Sequence, residues 1–131
     1  MISKDLKKLL RQHRIGGTFG RGIRLFDSDF ITNMPVSTMD DMVQRAREYI
    51  DPRVSYRKFV SDCDNYSLFY HALVSLEWAS NSNNIFPLAF GRAHQPGHDF
   101  NIGICKEGIF VWNYGVLTDW DLSKIDEIEF K

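Results

Sequence analysis

Only two of the 131 residues are cysteines, Cys63 and Cys105, so the chain has no disulfide framework. A reducing, cytosol-like compartment is the expectation. Its apolar runs are too short to span a bilayer and nothing reads as a secretory signal, so no membrane association is expected. A dominant charge is lacking as well: 16 Lys and Arg against 17 Asp and Glu leave a formal net charge of −1. That balance removes a general nucleic-acid footprint. Disorder is excluded by the aromatic content of 14% and the hydrophobic content of 44%. Such a chain is expected to form one domain over residues 1–131 with its own core.

The charges are unevenly placed. Residues 1–24 carry Lys4, Lys7, Lys8, Arg11, Arg14, Arg21 and Arg24 against Asp5 alone, whereas the C-terminal segment is acidic. The plain account is a solvated helix face and loop. The sharper one is a docking patch for an acidic partner or a nucleic acid. Ser3 can cap a helix reaching about Arg14, with Leu6, Leu9 and Leu10 as its stripe, and Gly16-Gly17 ends it. The glycines of residues 16–22 imitate a phosphate loop, but the Lys-Ser/Thr ending is absent and no strand clearly precedes it. The segment up to Asn33 reads as an extended arm.

A second helix is predicted over residues 38–49, capped by Ser37 and carrying Met39, Met42, Val43, Ala46 and Ile50 on one face until Asp51-Pro52 breaks it. A third follows from Cys63 to about Ala79, with Asp62 or Ser61 as cap and Tyr66, Phe69, Tyr70, Leu73, Val74, Leu76 and Trp78 as apolar positions. After the polar loop 80–84 the pattern turns strand-like. Residues 85–90 read as a buried strand, 91–97 as a loop, and 98–104 and 109–114 as a hairpin turning through Cys105–Gly108. The tail suggests a turn and a last strand. Helices first and strands afterwards indicate an α+β fold.

Cys63 stands at the first turn of the third helix, at the positive end of the helix dipole, which favours thiolate over thiol. A nucleophile needs that form, although a cysteine can equally be a small core residue. A base must accompany it. His13 lies on the basic helix, His71 is more than two turns from Cys63, and His94 falls in the expected loop. His98, opening a strand after Pro96-Gly97, is the best placed. If Ile104 pairs with Ile109, Phe100 lies opposite Asn113, which then shares a face with His98 at the diagonal distance of about 7–8 Å. An Asn carbonyl there could fix the imidazole. A slip of one residue would move Asn113 to the other face.

Asp62-Cys63-Asp64-Asn65-Tyr66 at a helix start, Gly97-His98-Asp99-Phe100-Asn101 opening a strand, and a polar residue ending the next strand resemble the papain-like cysteine protease superfamily. More narrowly they resemble the protease domain at the C-terminus of a mushroom agglutinin, whose relatives include small phage and bacterial proteins. The resemblance runs over about residues 25–114. It implies a papain-like fold, with N-terminal helices and a central nucleophile helix packed on a small antiparallel sheet. It also implies Cys63 as nucleophile, His98 as general base and acid, Asn113 as orienting residue, and a protein or peptide substrate. If the chain is phage-encoded, the host cytoplasm becomes its expected place. Relatives often carry Glu at the third position, where Asn113 suits the wider superfamily.

Two features depart from that pattern. The Gln that papain-like enzymes use for the oxyanion is missing from residues 56–60, so the Cys63 backbone N–H supplies one donor and the second is unassigned. The agglutinin domain is calcium-dependent, which by resemblance makes Asp62, Asp64 and Asp99 candidate ligands, yet they form no calcium-loop pattern. No other cofactor is required. Two rival readings follow from the same residues. A zinc site of Cys63, His94, His98 and Cys105 has suitable ligands in an unfamiliar spacing. A catalytically silent papain-like binding module, acting on a host partner in the phage case, would keep the framework without the chemistry.

Overall fold

The computed structural model describes residues 1–16 and 22–131. In chain order these form α1 (Ser3–Gln12), β1 (Ile23–Leu25), α2 (Val36–Ile50), α3 (Cys63–Ala79), β2 (Phe90–Gln95), β3 (His98–Cys105), β4 (Gly108–Asn113), β5 (Val116–Thr118), a short 3-10 turn (Leu122–Lys124) and β6 (Glu127–Phe130). The expected α+β organisation is present. In space the strands run β1-β6-β2-β3-β4-β5. The sheet is antiparallel from β6 through β2, β3 and β4 to β5, as expected of it, and becomes mixed by the addition of β1. Strand β6 returns to lie between β2, which it meets antiparallel, and the early strand β1, which runs parallel to it.

Alternation along the strands gives the sheet two buried faces. Phe100, Ile102, Ile104 and Val111 pack with Leu6, Leu10 and Ile15 on the α1 side. Phe90, Cys105 and Trp112 pack with Met39, Val43, Tyr70 and Val74 of α2 and α3 on the other. The spacing of Leu6 and Leu10 buries one stripe of α1, while Lys4, Lys8, Arg11 and Arg14 face solvent. Helix α3 buries Tyr66, Ser67, Tyr70, His71 and Val74. Leu76, counted above in its apolar face, is 66% exposed, because only the side toward the sheet and α2 is covered.

Several boundaries differ from the sequence reading for identifiable reasons. Helix α1 is entered from Ile2 rather than capped by the Ser3 side chain, and the Ser3 N–H donates to Ser28 O at 2.9 Å. Helix α2 begins at Val36 instead of Thr38, and its cap comes from far along the chain: the Val36 N–H donates to Glu107 Oε1 at 2.9 Å. A carboxylate there satisfies an orphan donor and meets the positive end of the dipole. Residues 85–89 are not a ladder strand. Pro87 has no N–H to give, Ile85 is 80% exposed, and a single parallel bridge joins Leu88 to Ile31.

The strand instead runs from Phe90 to Gln95, through the glycine-containing stretch read above as a loop. Gly91 belongs there because a Cβ would stand 1.9 Å from Glu129 O of the adjacent strand. His94 is thus a strand residue, and only Pro96-Gly97 turns the chain into β3, with Gly97 at φ +83°. Proline followed by a positive-φ glycine is the signature of a type II turn. Strand β5, not foreseen, follows β4 through the two-residue turn Tyr114-Gly115. The expected pairing of Ile104 with Ile109 is present, although the turn itself is tighter, because Cys105 also pairs with Gly108. Of the imitation phosphate loop, residues 17–21 lie outside the described residues.

Candidate active site

Asp62 is the N-cap of α3 and Cys63 its first residue. The Asp62 N–H donates to Asn65 Oδ1 at 3.3 Å, and Asp62 Oδ2 accepts from the Phe59 N–H at 3.2 Å. The cap therefore ties the helix to the segment leading into it. The Asp62 and Asp64 carboxyls adjoin: their contact holds Asp62 below its ordinary range and, with burial adding to it, Asp64 above. Asp62 Oδ1 is buried without a donor among the described residues.

Asn101, 1% exposed, fixes α3 on the sheet. Its Nδ2 donates to Ser67 O at 2.8 Å and to Gly91 O at 3.0 Å, joining the second turn of α3 to β2 and β3. Arg92 Nε adds a contact to Ser67 Oγ at 3.3 Å. The N-terminus of α3 is thereby held toward the sheet end where β3 begins and β4 stops. That end carries His98 and Asn113.

His98 Nε2 lies 2.6 Å from Asn113 Oδ1. Because a carbonyl oxygen can only accept, this contact needs the hydrogen on Nε2 and leaves the Nδ1 lone pair of a neutral ring free to take a proton. The ring is enclosed by aromatics: Phe100 and Trp120 stack on it with centroids 5.9 Å away, and Tyr114 lies at 5.7 Å. Trp120 is anchored by its Nε1–H to Gln95 Oε1 at 2.9 Å. Its position in the tail gave no sequence signal.

The structure brings His98 and Asn113 into contact but does not join Cys63 to them: among the described residues the Cys63 thiol makes no hydrogen bond. By alternation His98 and Asn113 belong with Phe100 and Val111, whereas Tyr114 belongs with Trp112 on the α3 face. Tyr114 links the two groups, with its ring against His98 and edge-on to Tyr66, one turn along from Cys63, at 5.2 Å.

The remaining candidates are spoken for. His94 Nδ1 binds Asp99 Oδ1, and that bond raises the His94 pKa. His71 is buried, which lowers its pKa. Cys105 is buried with Sγ 3.5 Å from Met39 Sδ, and burial pushes its thiol up to about 12. Among the described residues no group of three or more His, Cys, Asp or Glu could hold a metal ion. The zinc set does not converge. The three aspartates do not fit a cluster of calcium ligands either, so no step is derived through that ion.

The fold has a solved counterpart. It is similar to a crystal structure of the Polyporus squamosus lectin bound to the human-type influenza-binding epitope Neu5Acα2-6Galβ1-4GlcNAc. The TM-score is 0.75 at 14% identity, over 99% of this chain and 49% of the lectin chain. The chain thus spans about half the length of that lectin, and the likeness is one of fold. No family and no curated protein matches the sequence itself. Among the described residues no helix is long and apolar enough to cross a membrane.

Proposed function

We propose that this chain is a papain-like, cysteine-dependent peptidase or acyl transferase, with Cys63 as nucleophile, His98 as general base and acid, and Asn113 as the residue that orients His98. The observation that carries the reading is the 2.6 Å contact between His98 Nε2 and Asn113 Oδ1, with Cys63 as the first residue of α3. It supplies the two things a thiol nucleophile lacks, a base and a fixed tautomer. The fold likeness to the Polyporus lectin and the residues around Cys63 and His98 support it.

In the reaction the Cys63 sulfur attacks the carbonyl carbon of a peptide or protein substrate. A C–S bond forms and the carbonyl π pair moves onto oxygen. Collapse breaks the C–N bond, the leaving amine takes the proton His98 had received from the thiol, and a thioester remains. Water or a second amine then attacks that thioester, His98 takes its proton, and the sulfur leaves. Water gives hydrolysis and an amine gives transfer.

The alternative is a silent binding module, favoured by the absence of a Cys63 hydrogen bond. Under that reading the exposed Lys4 and Lys8 of α1, with Arg14 just after it, would meet an acidic partner by charge. Iodoacetamide near neutral pH separates the two. The peptidase reading expects rapid stoichiometric labelling of Cys63, with buried Cys105 as internal control, and a loss of rate of about tenfold or more in His98→Ala. Equally slow labelling of both cysteines would remove the enzyme reading.

A further inference from the structure

Acyl transfer at Cys63 builds negative charge on the substrate oxygen, and the Cys63 backbone N–H at the helix start can meet it with one hydrogen bond. We propose that the Tyr114 hydroxyl is the second donor, hydrogen-bonding that oxygen as the C–S bond forms and keeping its own proton throughout. This rests on the peptidase or acyl-transferase reading of Cys63.

The backbone singles this residue out. Asn113 pairs with Val116, so Tyr114 and Gly115 are the two central residues of a hairpin turn, with φ of +48° and +78°. A pair of positive φ angles is what a type I′ turn requires, and that turn normally takes Asn, Asp or Gly at its first position. A tyrosine is strained there, and such strain persists where the surroundings hold it. The surroundings here are specific. The ring stands edge-on to Tyr66 at 5.2 Å and to Tyr56 at 6.4 Å, packs on His98 at 5.7 Å, and has its carbonyl bound by Tyr70 Oη at 3.4 Å.

The hydroxyl end is unengaged. Among the described residues it has no hydrogen-bond partner, so its proton is uncommitted. Burial raises the Tyr114 pKa, and the next causes are Cys63, Tyr56, Asp62 and Tyr66, all at the start of α3 or in the segment leading to it. The phenol therefore stays protonated at neutral pH, and its ring stands against Tyr66, one turn into α3 at the end of the helix where the backbone donors emerge. The Asp62 carboxylate, which would repel an oxyanion, is engaged by the Phe59 N–H and by Asp64. Tyr114 thus offers what residues 56–60 lack.

Tyr114→Phe keeps the ring and removes only the donor. Two reagents read the consequence at Cys63: p-nitrophenyl acetate, which acylates through an oxyanion, and iodoacetamide, which alkylates by direct displacement without one. The expected result is acylation slowed on the order of 10²-fold, with alkylation and the urea midpoint nearly unchanged. Unchanged acylation in the variant overturns the inference, and so does an equal fall in both rates, which would assign Tyr114 to the thiolate. A wild-type Cys63 that alkylates rapidly but is not acylated overturns it too. If the wild-type thiol reacts slowly with both reagents, the enzyme reading fails first and this inference with it.

Discussion

Replacing Asn101 with alanine tests how α3 is held over the sheet. The side chain is 1% exposed and its Nδ2 donates to Ser67 O at 2.8 Å and Gly91 O at 3.0 Å. Two buried hydrogen bonds at about 1 kcal/mol each give about 2 kcal/mol. The carbonyls left behind lose a donor in a site closed to water, which adds on the order of 1 kcal/mol. The expected loss is about 3 kcal/mol. For an m-value of about 2 kcal/mol/M, the urea midpoint should fall by about 1.5 M, read by tryptophan fluorescence or circular dichroism. Asn101→Asp sharpens the test, because a carboxylate would face two carbonyl oxygens, whereas its protonated form can donate to one. That variant should regain stability relative to wild type as the pH falls through the aspartate range. A loss below about 0.5 kcal/mol for the alanine variant, within the range of an ordinary surface change, would refute the assignment of Asn101 as the tie between α3 and β3.

Further outcomes follow from other contacts. Glu107→Gln should cost roughly 0.5–1 kcal/mol in urea unfolding, since Glu107 caps α2 through the Val36 N–H. A midpoint indistinguishable from wild type would show that water replaces it. His71, buried with a lowered pKa, should destabilise the fold in mild acid. Below its ordinary value of 6.5 the unfolded chain binds a proton that the folded chain refuses, so stability falls as pH drops from there toward the folded pKa, by at most about 1.4 kcal/mol per pH unit. His71→Gln should flatten that part of the stability profile, and an unaltered slope would assign it to other groups.

The parts of the fold readable from sequence were those set by periodicity and local chemistry. The Leu6 and Leu10 stripe, the Met39 to Ile50 face, the start of α3 at Cys63 and the Ile104–Ile109 register all follow from side chains a few residues apart. What escaped the reading depended on partners far along the chain. Glu107 moves the start of α2 by 71 positions' reach, and Gly91 sits in a strand because Glu129 O passes too close for a Cβ. The contact of His98 with Asn113 was legible because one hairpin register determines it. Tyr114 and Trp120 were not, since a tyrosine in a turn and a tryptophan in a tail announce nothing until the strands bring them to the same end.

That end of the sheet is where two tight turns meet. Pro96-Gly97 immediately precedes His98, and Tyr114-Gly115 immediately follows Asn113. Each turn has two residues, so neither hairpin can slip by one without carrying His98 or Asn113 to the other face. Helix α2 reinforces the second turn, because Gln44 Nε2 donates to Gly115 O at 2.9 Å while Asp40 Oδ1 accepts from Trp112 Nε1 at 2.9 Å. Asn101 holds α3 from the other side. The positions of Cys63, His98 and Asn113 are thus governed by the two turns and by the Asn101 tie to the sheet. A fold shared with part of a lectin at 14% identity leaves the chemistry open. The proposed roles of Cys63, His98 and Asn113 would draw on these ties, and the role proposed for Tyr114 rests on its ring lying against both Tyr66 of α3 and His98 of β3.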